Sequence, residues 1–461
     1  MVFSSPVFVF LFLPLVYLIN LVLPAKFSNV FLLFASLLFY AWGEPIYVFL
    51  MVFSGFVNYR LALKMDRHGR SHRNLLILSI LFNIGMLAIF KYSDFLILGI
   101  NSVFNTTIPT LNLPLPIGIS FYTFQTLSYV FDVYRGETPV QKNFLSLLLY
   151  ITFFPQLIAG PIVKYHDVSL QIQSRTVDLQ QTSLGLRRFV YGLAKKVLIA
   201  NAMALIADTL YALPNTQIST LVAWTASIAY ALQIYFDFSG YSDMAIGMGW
   251  MFGFHFKENF NYPYIATSMQ DFWRRWHISL SSWFRLYVYI PLGGNQKGKN
   301  RAMLNRILVF FLTGLWHGAA WTFVVWGLYH GLFLLLEQSF LHVEKWPRFI
   351  RRIYTLLVVV VGFVIFRSEN FAQALVMIRS LFFFSSSSPI ALGEWMVLMT
   401  PFTFILFAVA FLASTPIIRS SRLNNSRLLE YASYGFALVL WGLCLLNLAS
   451  TTYNPFIYFR F

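Results

Sequence analysis

The stretch PVFVFLFLPLVYLINLVLP, residues 6–24, carries no charged side chain and is long enough to cross the hydrocarbon core of a bilayer. Similar runs recur, as in IYTLLVVVVGFVIF at 353–366. Inside hydrocarbon a backbone must satisfy its own hydrogen bonds, so only helices and closed barrels remain available to it. Barrel strands alternate apolar and polar residues, whereas these segments are apolar without alternation. The fold expected is therefore all-α: a polytopic membrane protein with about ten to twelve crossings. Several of them are short or interrupted by Gly and Pro.

Composition agrees with this reading. Charged residues make up 11% of the 461 positions, against roughly 25% in a soluble domain. The net charge of +16 does not point to nucleic acid, because the basic residues gather in short loops. These are RLALKMDRHGRSHR (60–73), RRFVYGLAKK (187–196), KGKNRAMLNR (297–306), EKWPRFIRR (344–352) and RSSRLNNSR (419–427). Short basic loops mark the cytoplasmic side of a membrane protein, where anionic lipids and anionic substrates are their natural partners. The single cysteine, Cys444, excludes disulfides within the chain and lies in an apolar run, where a thiol is inert packing. MVFSSP at the start offers no basic n-region and no small-x-small cleavage site follows, so the first segment is not expected to be a signal peptide.

Crossings are expected near 6–24, 29–43, 45–63 and 75–100. With the N-terminus outside, the third delivers the 60–73 loop to the cytoplasm, and the polar stretch 101–114 becomes external. Segments 115–136 and 144–161 are broken by Gly and Pro and are expected inside the protein, since irregular backbone at membrane depth must be shielded. Residues 187–213 read as an amphipathic segment on the cytoplasmic surface. Plain apolar spans follow at 353–367, 393–413 and 429–450. The last of these carries the C-terminal tail TTYNPFIYFRF (451–461) to the external side. The whole chain, 1–461, reads as one membrane domain with a catalytic core at about 115–337 and no internal repeat of the kind transporters show.

Polar groups at membrane depth are costly, so they mark function. Three stretches qualify. LTGLWHGAAWTFVVWGLYHG (312–331) holds His317 and His330; Gly314 and Gly318 read as room for a substrate chain beside the His317 imidazole. His317 has the pKa range of a general base near neutral pH. His330, thirteen positions on, would face roughly 220° away on an unbroken helix and reads as structural. DFWRRWHISLSSWFRLYVYIPLGGN (271–295) gathers Asp271, Trp273, Arg274, Arg275, His277 and Arg285. Its two neighbouring guanidiniums suit an anionic ligand such as the phosphates of coenzyme A, although a belt of interfacial Trp and snorkelling Arg would look the same. YFDFSGYSDMAIGMGW (235–250) places Asp237, Ser239, Tyr241 and Asp243 in apolar surroundings and reads as an interior hydrogen-bonded network, with Ser239 and Asp243 on one helix face. No nucleotide loop, zincin motif or nucleophile elbow is present, and carboxylates near the two histidines are too few to favour a metal.

FWRRWHISLSSWFR, LGGN, GLWHGAAWTFVVWG, YFDFSGYSDMAIG, PIGISFYTFQTLSY and LIAGPIV together resemble the membrane-bound O-acyltransferases, in the bacterial alginate O-acetyltransferase branch. The similarity runs from the start to about residue 337 and returns at the tail. It implies a ring of helices around a central funnel, with a tunnel meeting near two histidines. It implies that His317, in LWHG, is the catalytic residue and that His277, in RRWHISLS, is its companion. Asp271, Trp273, Arg274 and Arg275 would then face the acyl donor, acetyl-CoA, with no permanently bound cofactor and no metal. The branch implies the bacterial cytoplasmic (inner) membrane and an extracytoplasmic partner of the SGNH-hydrolase type. The acceptor would be a polysaccharide such as alginate, peptidoglycan or cellulose. A related arm, which modifies teichoic acid with D-alanine, works beside a small protein ending in an aromatic hexapeptide like FIYFRF. By that likeness Tyr458 would carry the acyl group outside the membrane. The alternative from another class is a transporter or scaffold that moves an acylated or lipid-linked species without making bonds. Geometry allows the carrier: Thr451 to Tyr458 spans at most roughly 26 Å, beside a hydrocarbon core of ~30 Å.

Overall fold

A computed structural model of the chain describes residues 1–68, 73–158, 160–418, 427–450 and 453–457. Among these residues every regular element is helical. Seven helices are long and apolar enough to cross a membrane, or up to eight when a pair bent by 68° counts as one span. The ten to twelve crossings expected from the sequence are reached only when three shorter apolar helices are included. The described residues cluster into two compact units.

The first unit comprises Met1–Phe189, Tyr241–Glu258 and Arg285–Tyr287. Its principal helices are α1 Phe8–Val22, α2 Ala25–Ala41, α3 Tyr47–His68, α4 Arg73–Phe104, α5 Ile119–Arg135 and α6 Phe144–Thr152. α5 packs on both α3 and α4, and α6 on α2 and α3. Between apolar helices in lipid the hydrophobic effect supplies little attraction, so polar contacts and close packing decide the pairing. α3 and α4 use a buried triad: Ser79 Oγ and Asn83 Nδ2 both donate to Asn58 Oδ1, at 2.6 and 2.8 Å. The broken segment after α6 is buried, as expected, from Thr152 through Leu157.

Two long helices run through both units: α7 Leu179–Tyr211 and α8 Thr220–Met251. α7 differs from the surface helix expected for 187–213. It is 33 residues of unbroken helix, mostly buried, with a π-helical turn at Lys195–Ala200. Two of its four cations, Arg188 and Lys196, are neutralised by carboxylates of the protein, so they need not hold the helix at the interface. Arg188 pairs with Asp243 at 2.8 Å, and Lys196 with Asp237 at 2.9 Å. Within the first unit, Gly185 of α7 and Gly247 of α8 cross so closely that a Cβ on either would strike the other's carbonyl oxygen.

The second unit comprises Val190–Gly240, Asn259–Phe284 and Val288–Phe461. It contains two short helices, α9 Met269–Arg275 and α10 Ile278–Phe284, and the antiparallel-connected pair α11 Lys299–His317 and α12 Trp321–Leu336. α13 Arg348–Arg367, α14 Phe371–Phe382, α15 Pro389–Leu398, α16 Pro401–Ala413 and α17 Arg427–Ser450 complete it. α12 packs between α11 and α13. α15 and α16 are the bent pair, with Pro401 opening the second as a first-turn proline should.

Candidate active site

His277 occupies the turn between α9 and α10, and three neighbours fix that turn. Ser268 caps α9 by accepting from the Asp271 amide at 3.0 Å. The Glu337 carboxylate accepts from the Met269 and Gln270 amides at 2.7 and 3.4 Å, placing negative charge where the helix dipole is positive. Residues 259–261 clasp the other end: Asn261 N–H donates to the Arg275 carbonyl, and Ile278 N–H to the Asn259 carbonyl, both at 2.9 Å. The turn forces His277 to φ +45°, a left-handed conformation that is uncommon for a residue with a Cβ. Such strain persists only where the surroundings over-determine it.

Asn259 also sets the chemistry of the imidazole. Its Oδ1 accepts from the Ser279 amide at 3.1 Å and the Ser279 hydroxyl at 2.8 Å. The same oxygen lies 3.2 Å from His277 Nδ1, so Nδ1 carries the proton and donates. Nε2 is left with its lone pair, buried and with no hydrogen-bond partner among the described residues. Burial pushes the imidazole down to about 3, because the charged form loses its hydration. At physiological pH His277 is a neutral ring whose Nε2 lone pair can accept a hydrogen bond.

His317 is the last residue of α11, where the helix dipole favours an imidazolium. Its ring is enclosed edge-on by Trp316, Trp326 and Phe366, with centroids 4.9, 5.0 and 5.2 Å away. Trp316 also lies 5.9 Å from His277, and Phe238 meets His277 edge-on at 4.6 Å. A narrow cavity of about 10 Å³ lies between the two histidines. Trp276, Trp326 and Phe238 line it with them, and so does Ile457 from the C-terminal tail. A small apolar chamber with two imidazoles suits acyl transfer: water is scarce and a proton can be accepted and returned.

Other residues singled out from the sequence fall elsewhere. Contrary to the expectation from the sequence, Gly314 and Gly318 do not open room beside His317. A Cβ at Gly314 would strike the Phe323 carbonyl, and one at Gly318 the Phe323 ring, so both glycines admit α12. The helix breaks after His317, and His330 therefore lies on α12, boxed by Trp273, Trp326 and Tyr329 at 5.0–5.3 Å. Asp271 and Arg275 pair with each other at 2.8 Å, and Arg275 also donates to the Asn261 carbonyl. Trp273 packs against Phe310 and Trp326. Arg274 is exposed. Ser239 and Asp237 are buried on α8. Tyr458 lies outside the described residues. Asn259, Lys196 and Ile457 carried no signal in the sequence beyond, for Lys196, a cation in an apolar helix.

Comparison with known proteins follows this geometry. The model of the MBOAT, membrane-bound O-acyltransferase family, matches residues 128–378, which include both histidines and Asn259. A probable alginate O-acetylase AlgI from Pseudomonas putida is 39% identical over the full length of both chains. Its counterpart from Azotobacter vinelandii is 43% identical over 86% of this chain and 79% of its own. The peptidoglycan O-acetyltransferase of Helicobacter pylori is 34% identical over 100% of this chain and 98% of its own. Bond-making chemistry thus replaces the transporter or scaffold alternative: this multi-pass membrane protein is an acyltransferase, and the chain belongs to the membrane-bound O-acyltransferase family.

Proposed function

We propose that the chain is an O-acetyltransferase of the bacterial inner membrane. It draws acetyl from cytoplasmic acetyl-CoA, carries it on Tyr458 and passes it to an extracytoplasmic partner of the SGNH-hydrolase type for O-acetylation of a polysaccharide. The relatives' names, alginate O-acetylase and peptidoglycan O-acetyltransferase, support a polysaccharide acceptor. The observation that carries the reading is Ile457: the residue before Tyr458 lines the cavity shared by His277 and His317. Consecutive Cα atoms are about 3.8 Å apart, which supports a carrier phenol within reach of the imidazoles.

The Tyr458 phenol oxygen attacks the thioester carbonyl, the C–O bond forms and the C–S bond breaks. His317 takes the phenol proton and returns it to the departing thiolate, giving acetyl-Tyr458 and free coenzyme A thiol. The α11 dipole favours the imidazolium formed on the way, while neutral His277 offers Nε2 as an acceptor that orients a proton-bearing group. With thiol and phenol pKa values near 8.5 and 10, an aryl ester stays activated relative to the sugar ester finally made. The exposed Arg274, and Arg275 held by Asp271, would meet the anionic donor, with Trp273 behind them.

The test is covalent labelling of purified protein by radiolabelled acetyl-CoA. Wild type is expected to take up label, and Tyr458→Phe, which removes only the hydroxyl, to lose it. His317→Ala is expected to lose it as well while remaining in the membrane. Label on Tyr458→Phe equal to wild type would overturn the carrier.

A further inference from the structure

The proposed chemistry makes no use of a buried ion pair in the second unit. Lys196 Nζ lies 2.9 Å from Asp237 Oδ1, and both side chains are 1% exposed. Lys196 stands in the π-helical turn of α7 and Asp237 on α8. Charges so deep are expensive unless paired and hydrogen-bonded, and each member of this pair makes a further contact to the C-terminal tail. Lys196 Nζ also donates to the Pro455 carbonyl oxygen, and Asp237 Oδ2 accepts from the Ile457 amide at 2.9 Å.

This arrangement solves a problem of the tail. Its described residues are not in a regular helix up to Phe456, so their backbone polar groups need outside partners when buried. Pro455 has no N–H to satisfy, and its carbonyl needs a donor. Two residues on, the Ile457 amide needs an acceptor. The ion pair offers one of each. Two flanking contacts extend the track along α7: Asn201 Nδ2 donates to Asn454 Oδ1 at 3.2 Å, and Tyr453 Oη to Asp208 Oδ2 at 2.8 Å. Phe456 and Ile457 are buried, and Ile457 ends in the histidine cavity.

We infer that Lys196 and Asp237 are a latch for the C-terminal tail: a positioning pair that docks residues 455–457 and thereby delivers the next residue to His277 and His317. The inference rests on the carrier reading of Tyr458 for its consequence in catalysis, but the docking is testable without it. Ile457→Cys in the full chain places a thiol at the docked position, and the buried native Cys444 serves as an internal reference. In detergent, maleimide labelling of both sites is expected to be slow while Lys196 and Asp237 are present. In the Lys196→Met/Asp237→Leu double variant, which leaves no lone buried charge, labelling at 457 is expected to rise tenfold or more while Cys444 stays protected. On the background with Ile457 intact, the same double variant is expected to transfer acetyl to the protein at least tenfold more slowly, with KM for acetyl-CoA unchanged. Unchanged labelling at 457 overturns the latch. Simultaneous exposure of Cys444 and position 457 also overturns it, since the pair would then be general scaffolding. Persistent acetyl label on Tyr458→Phe removes the carrier reading, and the cysteine labelling still decides the latch.

Discussion

His277 is where a single residue concentrates the most structural investment: a left-handed backbone, a fixed tautomer and a ring pushed down to about 3 by burial. The sign of its linkage to stability follows. Folded His277 stays neutral through the physiological range, whereas an unfolded histidine protonates near 6.5. The unfolded state therefore binds more protons below that value, so stability is fully present above about pH 6.5 and declines as pH falls toward 3. The melting temperature in detergent is expected to fall more steeply below pH 6.5 for wild type than for His277→Gln; parallel curves would show that this ring contributes nothing. Asn259 provides the second test. Asn259→Asp keeps an acceptor for Nδ1 and for Ser279 but adds a negative charge that favours the imidazolium. The acidic limb of the acyl-transfer pH profile is expected to move upward, with activity at high pH largely retained. Asn259→Ala instead strands three donors and is expected to destabilise the protein by roughly 1–3 kcal/mol. His277 stands out in the sequence because a titratable ring within an apolar, aromatic stretch is uncommon. Asn259 does not, because an asparagine in a loop before a short helix reads as a turn residue until the chain closes around it.

At the scale of elements, the α11–α12 pair shows why helices were easier to read than their breaks. Apolar length announces a span, but the run WHGAAW contains nothing that forbids a helix as proline would. Continuity was therefore the default, and His330 was assigned a face on a helix that ends at His317. The glycines have the same ambiguity: small residues signal close approach, but not whose. They admit α12. A Cβ at Gly327 would strike the Phe310 carbonyl oxygen, which is helix backbone, whereas at Gly318 it meets the Phe323 ring, which can rotate. Gly327→Ala is therefore expected to destabilise the protein by roughly 1–3 kcal/mol, the usual consequence of overpacking, and Gly318→Ala by less. Thermal melting of the two purified variants checks the order, and a reversed order would mean that α12 shifts more readily than the ring turns. α7 makes the converse point. Its cations marked an interface in the sequence, and only the partners on α8 and at Glu258 reveal an interior helix.

For the whole molecule, charge distribution and chain length decide which side of the membrane receives the product. Basic residues at 60–73 and 297–306 predict cytoplasmic loops there, since positive loops resist translocation. α4, 32 residues and strongly apolar, is then expected to carry the chain to an external stretch around Thr107, which is exposed. α17 is expected to do the same for the tail: it follows the basic run 419–427 and spans Leu429–Ser450 with little of its surface buried in the protein, as a lipid-facing crossing should be. On this expectation the proposed carrier Tyr458 and the arginines proposed to meet the donor would lie on opposite faces, as a transferase serving an extracytoplasmic acceptor would need. Impermeant maleimide applied to intact cells tests the assignment, because the native Cys444 is buried and gives little background. Thr107→Cys and a cysteine appended after Phe461 are expected to react from outside, and Asn300→Cys only after the cells are opened. Reaction of the appended cysteine solely after lysis would put the tail in the cytoplasm and leave Tyr458 on the wrong side to serve an external partner.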